Sequence, residues 1–225
     1  LAYPDRSEEM MAAGGGCPAQ ARQIALYEGM KRAVDVGCSL IGLVLLSPVF
    51  VLIGLLIKLE DPKGSVFFYQ TRVGKDGKPF RMFKFRSMVS NAEERLKELL
   101  AQNEVQGAMF KMKNDPRITR VGRFIRKTSI DELPQLVNVL QGSMSLVGPR
   151  PPLPREVAEY TPYDRQRLDV TPGCTGLWQV SGRSSLTFEQ MVELDLQYVR
   201  ERSLGMDARI LLRTVRVLLG SKDAF

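Results

Sequence analysis

The chain has 225 residues, with 32 Lys and Arg against 25 Asp and Glu, a net charge of +7 and no histidine. Without histidine the usual general base and the commonest nitrogen ligand for metals are gone, so any acid, base or nucleophile must come from Asp, Glu, Lys, Tyr, Ser or Cys, and any metal is expected to be a hard ion held by oxygen. The cysteines Cys17, Cys38 and Cys174 have neither metal-ligand spacing nor an even pairing, which suits free thiols on a cytoplasmic domain, and the basic balance suits phosphorylated substrates or anionic lipid headgroups; no recognisable nucleic-acid-binding motif is present.

Residues 1–30 are expected to form a weakly structured extension, with Gly14-Gly15-Gly16 as a flexible joint, either added residues or the tail of an upstream region. Residues 31–60 hold the apolar run Val34 to Ile57, about 24 residues, enough to cross a hydrocarbon core of roughly 30 Å. The run is too long and lies too far in for a signal peptide, and no small-residue cleavage site follows it. Ser47-Pro48 interrupts it at the middle, where proline removes a backbone donor and crowds the preceding turn. Lys31 and Arg32 precede the run; Lys58 and Lys63 follow it. Charge on both flanks fits a re-entrant segment that dips in and returns, whereas a kinked span is the alternative, since proline is tolerated in spanning helices.

Residues 61–225 suffice for one compact domain. Ser65 to Gln70 and Pro79 to Phe85 read as strands of a β-hairpin turned at Lys75-Asp76-Gly77-Lys78. Asn91 to Gln106 reads as a helix capped by Asn91. Between Lys111 and Lys127 the chain is basic, and Arg117, Arg120, Arg123 and Arg126 recur every third residue, a spacing that gathers guanidiniums on one side of a helix. Next, Leu133, Leu136, Val137 and Leu140 follow helical spacing. Ser129 and Glu132 match a capping box for that helix; alternatively Pro134 is its first residue and the acids lie just before it. Either way Asp131 and Glu132 sit at a positive helix end, where acids are also ordinary stabilising residues. Trp178 is either core or an interfacial anchor. Thr187 to Arg202 reads as a helix, and Ile210 to Leu219 as a basic amphipathic helix that either lies in a membrane interface or packs on the domain.

Taken together, Lys31-Arg32 with Asp35, Ser47-Pro48, the stretch Val66 to Gly74, Phe83-Lys84-Phe85-Arg86-Ser87-Met88, Asn114-Asp115-Pro116-Arg117, Thr128 to Gln135, Val147 to Pro151 and Pro172 to Arg183 resemble the bacterial monotopic phosphoglycosyl transferases, also called polyprenol-phosphate sugar-phosphate transferases. The resemblance runs from Lys31 to the C-terminus. Two places depart from the family pattern: Gly142-Ser143-Met144-Ser145 stands where members often have Gly-Asp-Met-Ser, and Thr171 stands where many carry a basic residue.

The resemblance implies an α+β, mostly helical fold with a re-entrant membrane helix hinged at Ser47 and Pro48, interfacial amphipathic helices and a small β-hairpin. It implies transfer of a hexose-1-phosphate from a nucleotide diphosphate sugar, UDP-glucose or UDP-galactose, to undecaprenyl phosphate, releasing UMP, as the first membrane step of exopolysaccharide, capsule or O-antigen synthesis. Asp131 would be the nucleophile, with Glu132 orienting it or sharing Mg2+ with it. Lys84, Arg86, Arg126, Arg150, Gln179 and Arg183 are the candidate substrate-binding residues. The partners expected are the nucleotide sugar, the polyprenol phosphate and membrane lipid, without nucleic acid, at the cytoplasmic face of the inner membrane as a monotopic protein; a homo-oligomer is allowed. Such a role requires that Asp131 not be sealed in the interior. Two rivals are a lipid-linked glycosyltransferase, which would release nucleoside diphosphate, and a non-catalytic basic scaffold on the membrane surface, which would tolerate loss of Asp131 and Glu132.

Overall fold

In a computed structural model of the protein, residues 18–92, 94–95, 115–182 and 186–220 are described. The glycine joint, Cys17, most of the expected helix 91–106, Lys111, Lys113, Asn114 and Arg183 lie outside them.

The first element is a single long helix, α1 (Pro18–Glu60). It begins well before Lys31, so residues 18–30 are helical and do not belong to a weakly structured extension. Pro48 lies inside it, and the helix continues through. The reason is local: Pro48 has no N–H to give the Val44 carbonyl four residues back, and the Ser47 hydroxyl donates to that carbonyl instead, at 2.8 Å. Apolar side chains around this point face outward: Leu40, Ile41, Val44, Leu45, Val51, Leu52 and Leu55 are all 54–72% exposed. Among the described residues this is the one helix long and apolar enough to cross a membrane.

Both flanks of the exposed stretch are bound to the rest of the chain. Before it, Lys31 pairs with Asp207 at 2.8 Å, and buried Asp35 accepts from the Leu146 amide at 3.0 Å. After it, Ile53 and Ile57 form a buried cluster with Phe85 and Ile125. The Glu60 carboxylate accepts the Arg120 and Val121 amides at 2.7 and 2.9 Å, meeting the free N–H groups of the next helix.

Strands β1 (Phe67–Val73) and β2 (Pro79–Phe85) pair antiparallel from Phe67↔Phe85 to Val73↔Pro79, close to the expected hairpin. The turn runs through Asp76 at φ 56° and Gly77 at φ 74°, a left-handed pair that Asp and Gly adopt readily. Helix α2 (Arg120–Lys127) is capped by Thr119, whose side chain accepts from the Gly122 amide. The expected four-arginine stripe does not form. Arg117 lies before the helix, where it is buried in a bidentate pair with Asp115 (2.6 Å), leaving Arg120, Arg123 and Arg126 on α2.

The next turn also departs from expectation. Ser129 adopts φ 56°, ψ 16° with no side-chain cap, so the capping box is absent; Ile130–Glu132 form a 3-10 turn that leads through Pro134 into α3 (Gln135–Gln141). The acids therefore precede the helix, as in the alternative reading. On α3 the fully buried residues are Gln135, Asn138 and Val139, whereas Leu136, Val137 and Leu140 are half-buried. Asn138 points inward because it completes the edge of β2, accepting from the Phe83 amide at 2.9 Å and donating to the Arg81 carbonyl at 2.7 Å. At the far end of α3 the Arg32 guanidinium donates to the Val139 and Leu140 carbonyls, covering orphan acceptors and complementing the helix dipole.

Strand β3 (Ser145–Val147) pairs in parallel with β4 (Gly173–Thr175). The connection carries two short helices, α4 (Pro154–Ala158) and α5 (Pro162–Arg165). Gly148 and Gly173 are required by this pairing: a Cβ on Gly173 would lie 2.1 Å from the Gly148 nitrogen. Helix α6 (Phe188–Glu201) opens with a capping box between Thr187 and Gln190 and is followed by α7 (Leu204–Gly220). Val147, Leu177, Tyr198 and Ile210 form the cluster that joins β3, α6 and α7. Helix α7 thus packs through Ile210, while Leu212, Val215, Arg209, Arg213 and Arg216 stay exposed. Trp178 is 9% exposed, a core residue.

Candidate active site

A small cleft opens where four segments meet. Strand β1 brings Arg72, β2 brings Lys84, the turn after α2 brings Glu132, and the loop after β3 brings Arg150. Gln179, from the 3-10 turn Trp178–Val180, lies on the same cleft. The hairpin register explains part of this convergence: residues 68, 70 and 72 of β1 share a face with 80, 82 and 84 of β2.

Three cations face one anion here. Lys84 Nζ lies 2.6 Å from Glu132 Oε1. Burial alone would raise the Glu132 pKa, but Lys84, Arg150 and Arg72 together hold the carboxyl below its usual range. Arg72 is buried and donates to the Pro151 carbonyl (3.0 Å) and to Gln70 Oε1 (2.7 Å). Burial, reinforced by the Arg150 charge, brings its guanidinium down to about 10. Arg150 is exposed and makes no hydrogen bond or ion pair among the described residues, so its charge is available to a ligand.

Asp131 is 9% exposed, more enclosed than its neighbour Glu132 with a side chain 41% exposed. Its carboxylate has no ion pair within 4 Å among the described residues. Burial pushes its pKa up to about 6, against the opposing pull of Lys84, with the Glu132 charge adding to the rise and Arg126 opposing it. Two adjacent carboxyls are thus moved in opposite directions, a pattern found where acids have different chemical tasks.

The remaining candidates divide. Arg126 is half-buried, interacts electrostatically with Asp131 and donates Nε to Ser87 Oγ at 2.8 Å, and burial lowers its pKa. Arg86 does not join the cleft. It is 8% exposed and bound to Asp61 through a 2.9 Å ion pair and a 2.6 Å bond to the Asp61 carbonyl, which makes it a tie between β2 and the end of α1. Arg72 and Gln135 line the cleft without having been singled out as binders; the signal for Arg72 was its two-residue spacing from Gln70 and Phe68 on one strand face. Cys174 also lines the cleft, but burial pushes its thiol up to about 12, so it is no nucleophile near neutral pH.

Among the described residues no group of three or more Cys, Asp or Glu side chains converges to hold a metal.

Residues 26–221 match the family model described as bacterial sugar transferase, and the chain belongs to that family. Over 190 residues it is 48% identical to the galactosyl transferase CpsE of Streptococcus agalactiae, covering 84% of this chain and 42% of the relative. Over 200 residues it is 48% identical to the undecaprenyl-phosphate galactose phosphotransferase of Salmonella typhimurium, covering 87% of this chain and 42% of the relative. The exopolysaccharide production protein ExoY of Rhizobium meliloti is 41% identical over 199 residues, with 87% of this chain and 88% of the relative covered. The chain therefore spans about two fifths of the length of the first two relatives and most of the third.

Proposed function

We propose that the protein transfers a hexose-1-phosphate from UDP-galactose or UDP-glucose to undecaprenyl phosphate at the cytoplasmic face of the inner membrane, releasing UMP, as the first membrane step of exopolysaccharide, capsule or O-antigen synthesis. The observation that carries this reading is the cleft itself, where Glu132 faces three cations, Arg72, Lys84 and Arg150, with the buried Asp131 next to Glu132 in the chain and within electrostatic reach of Lys84. The relatives named for a galactose phosphotransferase and for exopolysaccharide production support it.

The chemistry follows from charge. A nucleotide sugar diphosphate is anionic, so a carboxylate can approach its phosphorus only where that charge is offset, and Arg72, Lys84 and Arg150 supply the offset. An Asp131 oxygen forms a bond to the sugar-bearing phosphorus as the bond to the bridging oxygen breaks, and UMP leaves with that oxygen. An oxygen of undecaprenyl phosphate then attacks the same phosphorus and frees the aspartate. The acceptor is ionised already, so neither step needs a histidine. Asp131 and Glu132 would hold magnesium, which supplies further charge neutralisation on the phosphates when bound. Lys84 fixes Glu132, and the Arg126 charge favours the ionised form of Asp131.

A re-entrant course for α1 belongs to the same proposal. Arg32 and Asp35 before the exposed apolar stretch, and Ile57 and Glu60 after it, are bonded to or packed on one domain. A helix crossing the bilayer would put those flanks on opposite sides. The reaction is tested by mixing the protein with UDP-sugar and no acceptor: a stoichiometric burst of UMP and a phosphosugar-labelled protein are expected, and strict dependence of UMP release on acceptor would reject the two-step route. Release of UDP would instead mark a glycosyltransferase.

A further inference from the structure

The cleft-facing side of the hairpin is not uniformly basic. Arg72 and Lys84 line the cleft, but Phe68, two strand positions beyond Gln70 on the same face, is 49% exposed. Phe68 lies directly opposite Lys84 in the register, where facing side chains have Cβ atoms about 4.5–5.5 Å apart. Its neighbour Phe67 points to the other face, where it stacks on Phe85 with ring centroids 5.3 Å apart, and Phe85 in turn meets Phe50 of α1 at 5.1 Å. Just before β1, Val66 comes within 3.5 Å of where a Cβ on Gly54 of α1 would sit. The Phe68 end of the hairpin is thus fastened to the second half of the apolar helix, whose Leu52 and Leu55 are more than half exposed.

We propose that Phe68 is the seat for the first isoprene units of the lipid acceptor, with Lys84 beside it receiving the acceptor's phosphate. The inference rests on the reaction proposed above and adds to it where the apolar part of the acceptor runs. A polyprenyl phosphate has a charged head joined directly to a hydrocarbon chain, and the strand face repeats that order, cation then exposed aromatic, in the direction of the membrane helix. The occupant is lipid and not a protein segment because the exposed aromatic is continuous with the apolar helix on one side and with the phosphate-binding cations on the other. Tyr69 supplies the control: it is 54% exposed on the opposite face of the same strand, beneath Arg81, and away from the cleft.

The test uses the full chain in lipid nanodiscs, with UDP-galactose as donor and either undecaprenyl phosphate or farnesyl phosphate as acceptor. Phe68→Ala should raise KM about tenfold for both acceptors, the scale of losing half a phenyl ring from water-excluded contact, while KM for the donor stays within about twofold. Phe68→Leu, which keeps an apolar side chain, should recover most of the loss, and Tyr69→Ala should leave the acceptor KM at the wild-type value. An unchanged acceptor KM in Phe68→Ala, an equal rise in Tyr69→Ala, or a parallel loss of donor KM would overturn the seat, since these would mean no contact, a general membrane contact, or a disturbed cleft. A wild-type protein that transfers to neither acceptor would reject the reaction itself, a separate outcome.

Discussion

At the scale of single residues, the fold separates two acids that the sequence presents as equals: Glu132 lines the cleft and Asp131 is buried beside it. Asp131 is held up to about 6 by burial while Glu132, gripped by Lys84, is held down. If ionised Asp131 is the nucleophile, kcat/KM for the donor should fall on the acid side with a midpoint near pH 6. Lys84→Met removes a charge that favours the ionised form, so that midpoint should move to higher pH, measured from initial rates across pH 5 to about 9. Stability gives an independent check. The folded pKa of Asp131 lies above its ordinary 3.8, so the folded state holds the proton more tightly and loses stability as pH rises from 3.8 to about 6, with the full loss present above that. Asp131→Asn should abolish turnover and the covalent adduct yet stabilise the fold by roughly 1–3 kcal/mol above pH 7, with the gain disappearing below about pH 4 in denaturant titrations. That Lys84, Glu132 and Arg150 share one cleft agrees with their being singled out together through the family resemblance. The roles of Arg86 and Asn138 were not legible in the sequence, because they depend on partners far along the chain: Asp61 for the first, the edge of β2 for the second.

At the scale of elements, the hairpin, α6 and the part of α7 after Ile210 could be read from alternation, turn residues, capping and periodicity, all local signals, while the first turn and a half of α7 was missed. The turn carrying the acids could not. A Ser-x-x-Glu spacing favours a capping box in isolation, but Ser129 takes a left-handed conformation that no local pattern signals. The burial of Asn138 in place of Leu136 and Leu140 has the same origin, a tertiary hydrogen bond overriding helical periodicity. The two glycine-bearing motifs around Val147 and Pro172 gain their meaning together. They are partner strands whose backbones approach too closely for any side chain. Gly173→Ala should therefore destabilise the fold by about 3 kcal/mol or more, read as a lowered midpoint in chemical denaturation, because the neighbour it meets is backbone and cannot swing aside.

At the scale of the whole molecule, α1 is bonded to the domain on both sides of its apolar stretch, through Lys31, Arg32 and Asp35 and again through Ile57 and Glu60. In a cysteine-free background, cysteines introduced as Arg22→Cys and Lys63→Cys should both react with a membrane-impermeant maleimide added to the cytoplasmic side. Labelling of only one would show a crossing helix. The sequence signalled the run and the charges on both flanks, but the expected break at Pro48 is absent, and the ties that hold the flanks to one domain needed the folded chain.

The Ser47 hydroxyl that covers the Val44 carbonyl has a consequence for how such a protein is made. On the proposed topology, only side chains already suited to hydrocarbon enter the lipid, and the one backbone acceptor that proline would leave bare is covered before it gets there. Lys31, Arg32 and Lys58 never pass through the bilayer centre, where each charge would cost about 2.5–3.5 kcal/mol on insertion scales. Biogenesis then resembles pressing a helix into one leaflet from one side more than threading a segment through a channel.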